Sequence, residues 1–258
     1  MRIKTTLFTI IVSLIYLQSF SQKTVYASDI IKDLKAGKDI SISNAKIEGV
    51  LDFTEMEEKL KNLPKRKPRK VKSNSIHNLI TIKISFSNCI FENDVLAYIP
   101  DHEKSGYTFI ADFKKSVSFA HCNFKGKSMF KLSKFYQECS FQGTIFQDDS
   151  TFKHADFEST SDFSKTIFSE NITFKHTVFK KYVNFNESVM KEDLNFKHTQ
   201  FLNGVSLRKM KIDGVLNMKC MMVNGKFNMS GMKVGDDIDS KHTIINGQNF
   251  SNYLLNNK

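Results

Sequence analysis

Residues 150–171 read STFKHADFESTSDFSKTIFSEN, residues 172–193 read ITFKHTVFKKYVNFNESVMKED, and residues 194–215 read LNFKHTQFLNGVSLRKMKIDGV. Written one above the other, the lines share Phe-Lys-His at the same place, beginning at Phe152, Phe174 and Phe196. The next lines continue the alignment, so that Lys153, Lys175, Lys197, Lys219 and Lys241 form one column and His154, His176, His198, Cys220 and His242 the next. An internal repeat at fixed period is the strongest statement a sequence makes about its architecture.

Within each line a finer pattern holds. From Phe119 to Phe185 the phenylalanines fall at gaps of five and six in strict alternation, and the ladder runs on through Met190, Phe196, Phe201, Leu207, Ile212, Met218, Val223, Met229 and Val234 before Ser240 interrupts it. Two residues before each large side chain stands a small or β-branched one, as in Cys122, Ser128, Ser133, Cys139, Thr144, Ser150 and Ala155. An α-helix needs apolar spacings of three and four. A short strand places residues i and i−2 on one face, and two or three polar residues then turn the chain onto the next face. Five plus six is eleven, so four faces close a coil of 22 residues, stacked on its neighbours at about 4.8 Å.

The run SMFKLSKFYQECSFQGTIFQDDSTFKHADFESTSDFSKTIF and its flanks resemble the pentapeptide-repeat family in a Phe-rich form, departing from it by an extra residue in every second unit. The resemblance covers roughly 40–53, 80–91 and 111–247. It implies an all-β chain folded as a right-handed quadrilateral β-helix, a solenoid with the large and small residues pointing inward. Some members of the family mimic DNA to bind topoisomerases, a role that needs an acidic surface and a cytoplasmic address.

The chain has 258 residues, 24 Phe, no Trp and 3 Pro. MRIKTT followed by the apolar LFTIIVSLIYLQSF, with Ser19 and Ser21 at the positions of a cleavage site, reads as a signal peptide over 1–21 and sends the mature chain outside the cytoplasm, to a bacterial envelope or beyond. No later segment is long and apolar enough to span a bilayer. The expected plan is an N-terminal cap at 22–39, a β-helix over 40–247 and a C-terminal cap at 248–258. Residues 28–37 carry a helix with Ser28 as N-cap, an Ile30, Ile31 and Leu34 face, and Gly37 as stop. Phe250, Tyr253, Leu254 and Leu255 offer a lid at the other end. Uncovered ends would invite an end-to-end dimer. All three Pro fall in 54–79 and 92–110, which are read as excursions from the ladder.

The net charge of +11 is local: Lys59 to Lys72 holds eight basic residues and no acidic one. Lys65, Arg66, Lys67, Arg69 and Lys70 in this run, and Lys153, Lys175 and Lys197 in the repeat, are candidates for binding an anionic envelope polymer or lipid. No specific nucleic-acid partner is expected. The column His154, His176, His198, Cys220 and His242 is a candidate metal site, since imidazoles on successive coils come within reach of one Zn²⁺ or Cu²⁺. Cys89, Cys122 and Cys139 are inward small residues and read as packed thiols, with Cys220 at an outward corner. No GxSxG, HExxH, phosphate-binding glycine loop or paired CxxC is present. The reading is therefore a non-enzymatic scaffold, without catalytic residues or a cofactor, that engages an unidentified protein or envelope component.

Overall fold

The small–x–large unit forms very short strands because only two inward side chains fit between corners. The computed structural model describes residues 22–65, 74–101, 103 and 105–256. Strands such as Ser150–Thr151, Asp156–Phe157, Ser161–Asp162 and Ile167–Phe168 follow one another around the axis, one to a face. They stack into four sheets of eight, nine, eight and ten strands among the described residues, here called faces 1 to 4 in chain order from Ile40. Pairing along the ladder is parallel, and Phe135 pairs with Phe157, Phe157 with Phe179 and Phe179 with Phe201, each 22 residues on. The molecule is a β-helical solenoid.

Its core consists of four columns of large side chains. Phe91, Phe124, Phe146 and Phe168 stack with ring centroids 4.7, 4.9 and 4.7 Å apart. Phe113, Phe135, Phe157, Phe179 and Phe201 do the same at 5.0, 4.7, 4.7 and 5.2 Å. Rings of neighbouring columns meet edge to face, as Phe163 and Phe174 do at 5.3 Å and 85°. Burying each Phe contributes about 1.5–3 kcal/mol and each aromatic pair about 0.5–1.5 kcal/mol more, before conformational entropy is set against them. Beyond Phe201 the columns pass to Ile212, Met218, Val223 and Met229, and Met229, Met232 and Val234 are only partly buried.

Two kinds of corner alternate. The tight one is a four-residue turn such as Phe152-Lys153-His154-Ala155, closed by the Ala155 N–H donating to the Phe152 carbonyl at 2.9 Å, with His154 at φ 60°. The same left-handed position recurs every eleven residues at Leu132, Gly143, Lys165, His176, Glu187, His198, Lys209, Cys220, Gly231 and His242. The residue preceding the large one caps this turn with its side chain: Thr151 and Thr173 accept from the N–H groups of Lys153 and Lys175 at 3.2 Å. Asn195, Asn217 and Asp239 accept likewise from Lys197, Lys219 and Lys241 at 2.9, 3.1 and 3.1 Å. These are local side-chain turns of the Asx and Ser/Thr kind. The small residue after the turn is often Thr, whose hydroxyl donates into the neighbouring coil, as Thr177 and Thr199 do to the Phe152 and Phe174 carbonyls at 2.7 Å.

Helix α1 spans Ala27–Lys35, starting one residue before the expected position. It is preceded by Tyr26 with no side-chain cap, so Ser28 lies inside the helix and is not its N-cap. Gly37 ends it as expected, at φ +72° with its N–H on the Leu34 carbonyl at 3.0 Å. Ala27, Ile30 and Leu34 are buried against the first coil. Strand β1, Lys23–Tyr26, was not foreseen: it pairs with Ala45–Glu48 and covers the edge of face 2. At the other end Gln248–Asn249 folds back antiparallel on Ile244–Ile245 and leads into a helix at Phe250–Asn256. Phe250 is buried and Tyr253 packs on Phe227 at 5.6 Å. Leu254 and Leu255 remain 40% and 66% exposed, so the lid is narrower than expected.

The two excursions also differ from expectation. In 54–79 the chain leaves through a short helical turn at Met56–Lys59 but is back in face 4 as the strand Ser75–Ile80. In 92–110 it stays on the ladder at Val95–Leu96, with Ala97 fully buried, and then makes an antiparallel hairpin of Tyr98–Asp101 with Tyr107–Phe113. Val95 and Ala97 keep the two inward side chains of a normal face, which is why Pro100 displaces only the hairpin. Partners flanking these insertions lie 44 and 33 residues apart, Ile40 with Ile84 and Ile84 with Val117, and register resumes undisturbed.

Candidate ligand-binding edge

The corner between faces 3 and 4 carries the repeated Lys-His pair. Each His is held on the outside by its left-handed backbone, a conformation in which Asn, Asp and His are several-fold enriched among residues with a Cβ. His154, His176 and His198 therefore stand directly above one another, their rings stacked at 4.7 Å with interplanar angles of 2° and 5°. Beside them run Lys153, Lys175, Lys197, Lys219 and Lys241, one per rung at about 4.8 Å.

Some lysines elsewhere on the surface have carboxylates: Lys125 meets Glu92 at 2.9 Å, Lys180 meets Glu158 at 2.9 Å and Lys211 meets Asp213 at 2.7 Å. Among the described residues none of the five column lysines is in an ion pair. Lys131, one rung below, instead lies 3.0 Å from the Tyr98 hydroxyl and 4.6 Å from its ring centre. Two ammonium groups held at the rung spacing would repel by about 1 kcal/mol in water, before salt screens them. The field reaches the imidazoles: partial burial, the adjoining His176 and the lysines Lys153, Lys131 and Lys175 hold His154 below its usual value. Partial burial, His198 and the lysines 175, 153 and 197 do the same to His176.

This corner is where the structure brings the sequence candidates together. Lys153, Lys175 and Lys197 line up, joined by Lys219 and Lys241. Of the basic run, Lys65 is described and distant in sequence from the column, while Arg66, Lys67, Arg69 and Lys70 lie outside the described residues. The metal candidates form a column but not a cage. Ring nitrogens bind metals through lone pairs in the ring plane, and the parallel rings of His154, His176 and His198 aim those lone pairs alongside one another. Among the described residues no group of three or more His, Cys, Asp or Glu is placed to hold a metal ion. Cys220 and His242 extend the column above the stacked rings. Cys89, Cys122 and Cys139 are buried, and burial pushes the Cys139 thiol well up.

Sequence reasoning missed two features. One is the column of turn-capping residues, whose signal was available as Ser, Thr, Asn or Asp at eleven-residue intervals. The other is an open cleft of about 1060 Å³ at the N-terminal end, between α1 and the first coils, lined by Tyr26, Val50, Glu48, Asp52, Glu57 and Glu92 among others. It needs β1, which carries no trace of the repeat.

Three overlapping stretches, 111–156, 130–178 and 141–189, match a family model described as pentapeptide repeats (9 copies). Together the three matches span residues 111–189. No curated protein and no solved structure matches the chain. The matched stretch includes the His154–His176 pair and Lys153 and Lys175, so the cationic corner is built on the repeat itself. No helix among the described residues is long and apolar enough to cross a membrane.

Proposed function

We propose that the protein is a non-enzymatic, exported pentapeptide-repeat scaffold whose working surface is the lysine edge, and that it engages an anionic polymer of the cell envelope. Proteins built from these repeats are generally non-enzymatic scaffolds. The reading rests on one observation above the others: five lysines stacked one per coil on a single corner, none of them in an ion pair among the described residues. A line of unneutralised charge along a rigid rod attracts a chain of opposite charge and releases its counterions. Export follows from the signal-like start of the sequence, and puts the edge where envelope polymers are.

Fractionation of cells making the full-length chain tests this. The protein should leave the cytoplasm, sediment with envelope and be released by a high-salt wash. Recovery in the cytoplasm, or retention on the envelope after the wash, would contradict the reading.

A further inference from the structure

The stacked histidines have no role in the core, and they share their corner with the lysines. The rings cover one another's facing surfaces at 4.7 Å, which leaves ring edges to meet a ligand on the corner that also carries the lysines. We propose, resting on the lysine-edge reading, that His154, His176 and His198 are the proton-linked half of one binding site, whose ligand is a linear anionic polysaccharide. A polyanion lying on the edge replaces lysine repulsion by attraction, so each bound segment draws protons onto the imidazoles beneath it. By reciprocity, whatever protonates the histidines tightens the polymer.

The surroundings support the linkage. On this corner the groups facing the rings are Lys131, Lys153, Lys175 and Lys197, all cationic, with Lys219, Cys220 and His242 above. On the following face Asp156 and Glu158 are engaged by Lys134 at 3.5 and 2.5 Å, and Glu158 also by Lys180. On the preceding face Thr151, Thr173 and Asn195 are uncharged and cap the turns. Among the described residues no carboxylate is a cause of the shifts at His154 or His176, and both sit below their ordinary value.

The same geometry favours a polysaccharide over other polyanions. Nucleic acids gain much of their single-strand affinity by stacking bases on aromatic faces, and four of the six imidazole faces are already covered by one another. A bilayer surface rewards apolar side chains that insert, and the Lys-His pairs at 153–154, 175–176 and 197–198 offer none. A flexible chain with carboxylates or sulfates asks only for a line of cations.

The test compares the full chain with a variant carrying His154→Asn, His176→Asn and His198→Asn. Asn already occupies the equivalent left-handed turn position at Asn44 and Asn88, so the turns are kept. Probes are a polyuronate and heparin, which separate carboxylate from sulfate, with single-stranded DNA and anionic vesicles alongside, each measured near pH 7.5 and near pH 5.5. The wild type should bind a polysaccharide about tenfold more tightly at the lower pH, the equivalent of about half a net proton taken up on binding, averaged over the two pH units. The histidine NMR titrations should move upward on binding, and the variant should bind at the higher pH but lose the pH response. Equal pH responses in wild type and variant, with binding intact, would overturn the proton linkage alone. Stronger binding to DNA or vesicles would overturn the ligand assignment. Absence of binding by the wild type at both pH values would overturn the lysine-edge reading itself.

Discussion

At the scale of the residue, Phe-Lys-His divides into three separate physical demands. Phe174 fills a core rung at 0% exposure, so Phe174→Ala should cost about 3–5 kcal/mol in chemical denaturation. A loss under about 1 kcal/mol would mean that the stacked core relaxes freely. His176 answers a backbone demand, its φ of 59°. His176→Asn should leave the melting temperature nearly unchanged, and His176→Val should lower it clearly, because a β-branched residue is strained in that conformation. The histidines also set a pH dependence. Held below the ordinary 6.5 by partial burial and by cationic neighbours, His154 and His176 take up protons less readily when folded than when unfolded. Their contribution to stability is full above about pH 6.5 and is lost as pH falls from there toward their lower folded values. Melting temperatures should decline over that interval in wild type and decline less in the triple Asn variant. The recurrence of His was plain in the sequence, but its cause was not. Lys165, Glu187 and Lys209 occupy the equivalent turn on the other corner, so residue type alone did not mark the left-handed position.

At the scale of the element, what could be read ahead was what the repeat dictates. Two-residue strands, inward Cys89, Cys122 and Cys139, and polar corners all follow from the five-and-six spacing. Elements without the repeat were read less well. Helix α1 announced itself by Ile30, Leu34 and Gly37, yet its first turn lacks a capping side chain and its start was misplaced. Strand β1, KTVY, is held by pairing with Ala45–Glu48, a partner that no local pattern names. The hairpin at Tyr98–Phe113 was taken for a loop because Pro100 stands in it, although an edge strand accepts proline. Since α1 and β1 cover the first coil, Ile30→Asp should undock the helix. Amide exchange should then speed up in residues 40–53, and light scattering should show self-association through the uncovered end. Unchanged exchange there would show that the coil holds without its cap.

At the scale of the whole molecule, a solenoid distributes stability along its length, each coil resting on its neighbours. The Phe columns end at Phe201, and Met229, Met232 and Val234 are less well covered, so native-state exchange should be slowest in coils 113–201 and fastest toward 245. The same regularity makes a site that no single coil contains. The lysines could be aligned on paper from the 22-residue interval. That they lack carboxylates could not, because Glu158, Lys134 and Lys180 find one another across coils, and pairing across coils depends on which corner each side chain leaves from. The central claim is that this unpaired line of charge is the working surface. Its most direct test is calorimetric binding of a polyuronate over a range of salt concentrations, comparing wild type with a variant in which Lys153, Lys175, Lys197, Lys219 and Lys241 are all changed to Gln. Wild-type affinity should fall steeply and linearly on a log–log plot as salt rises, while the variant shows little binding and a slope close to zero. An affinity and slope left unchanged in the variant would contradict the account.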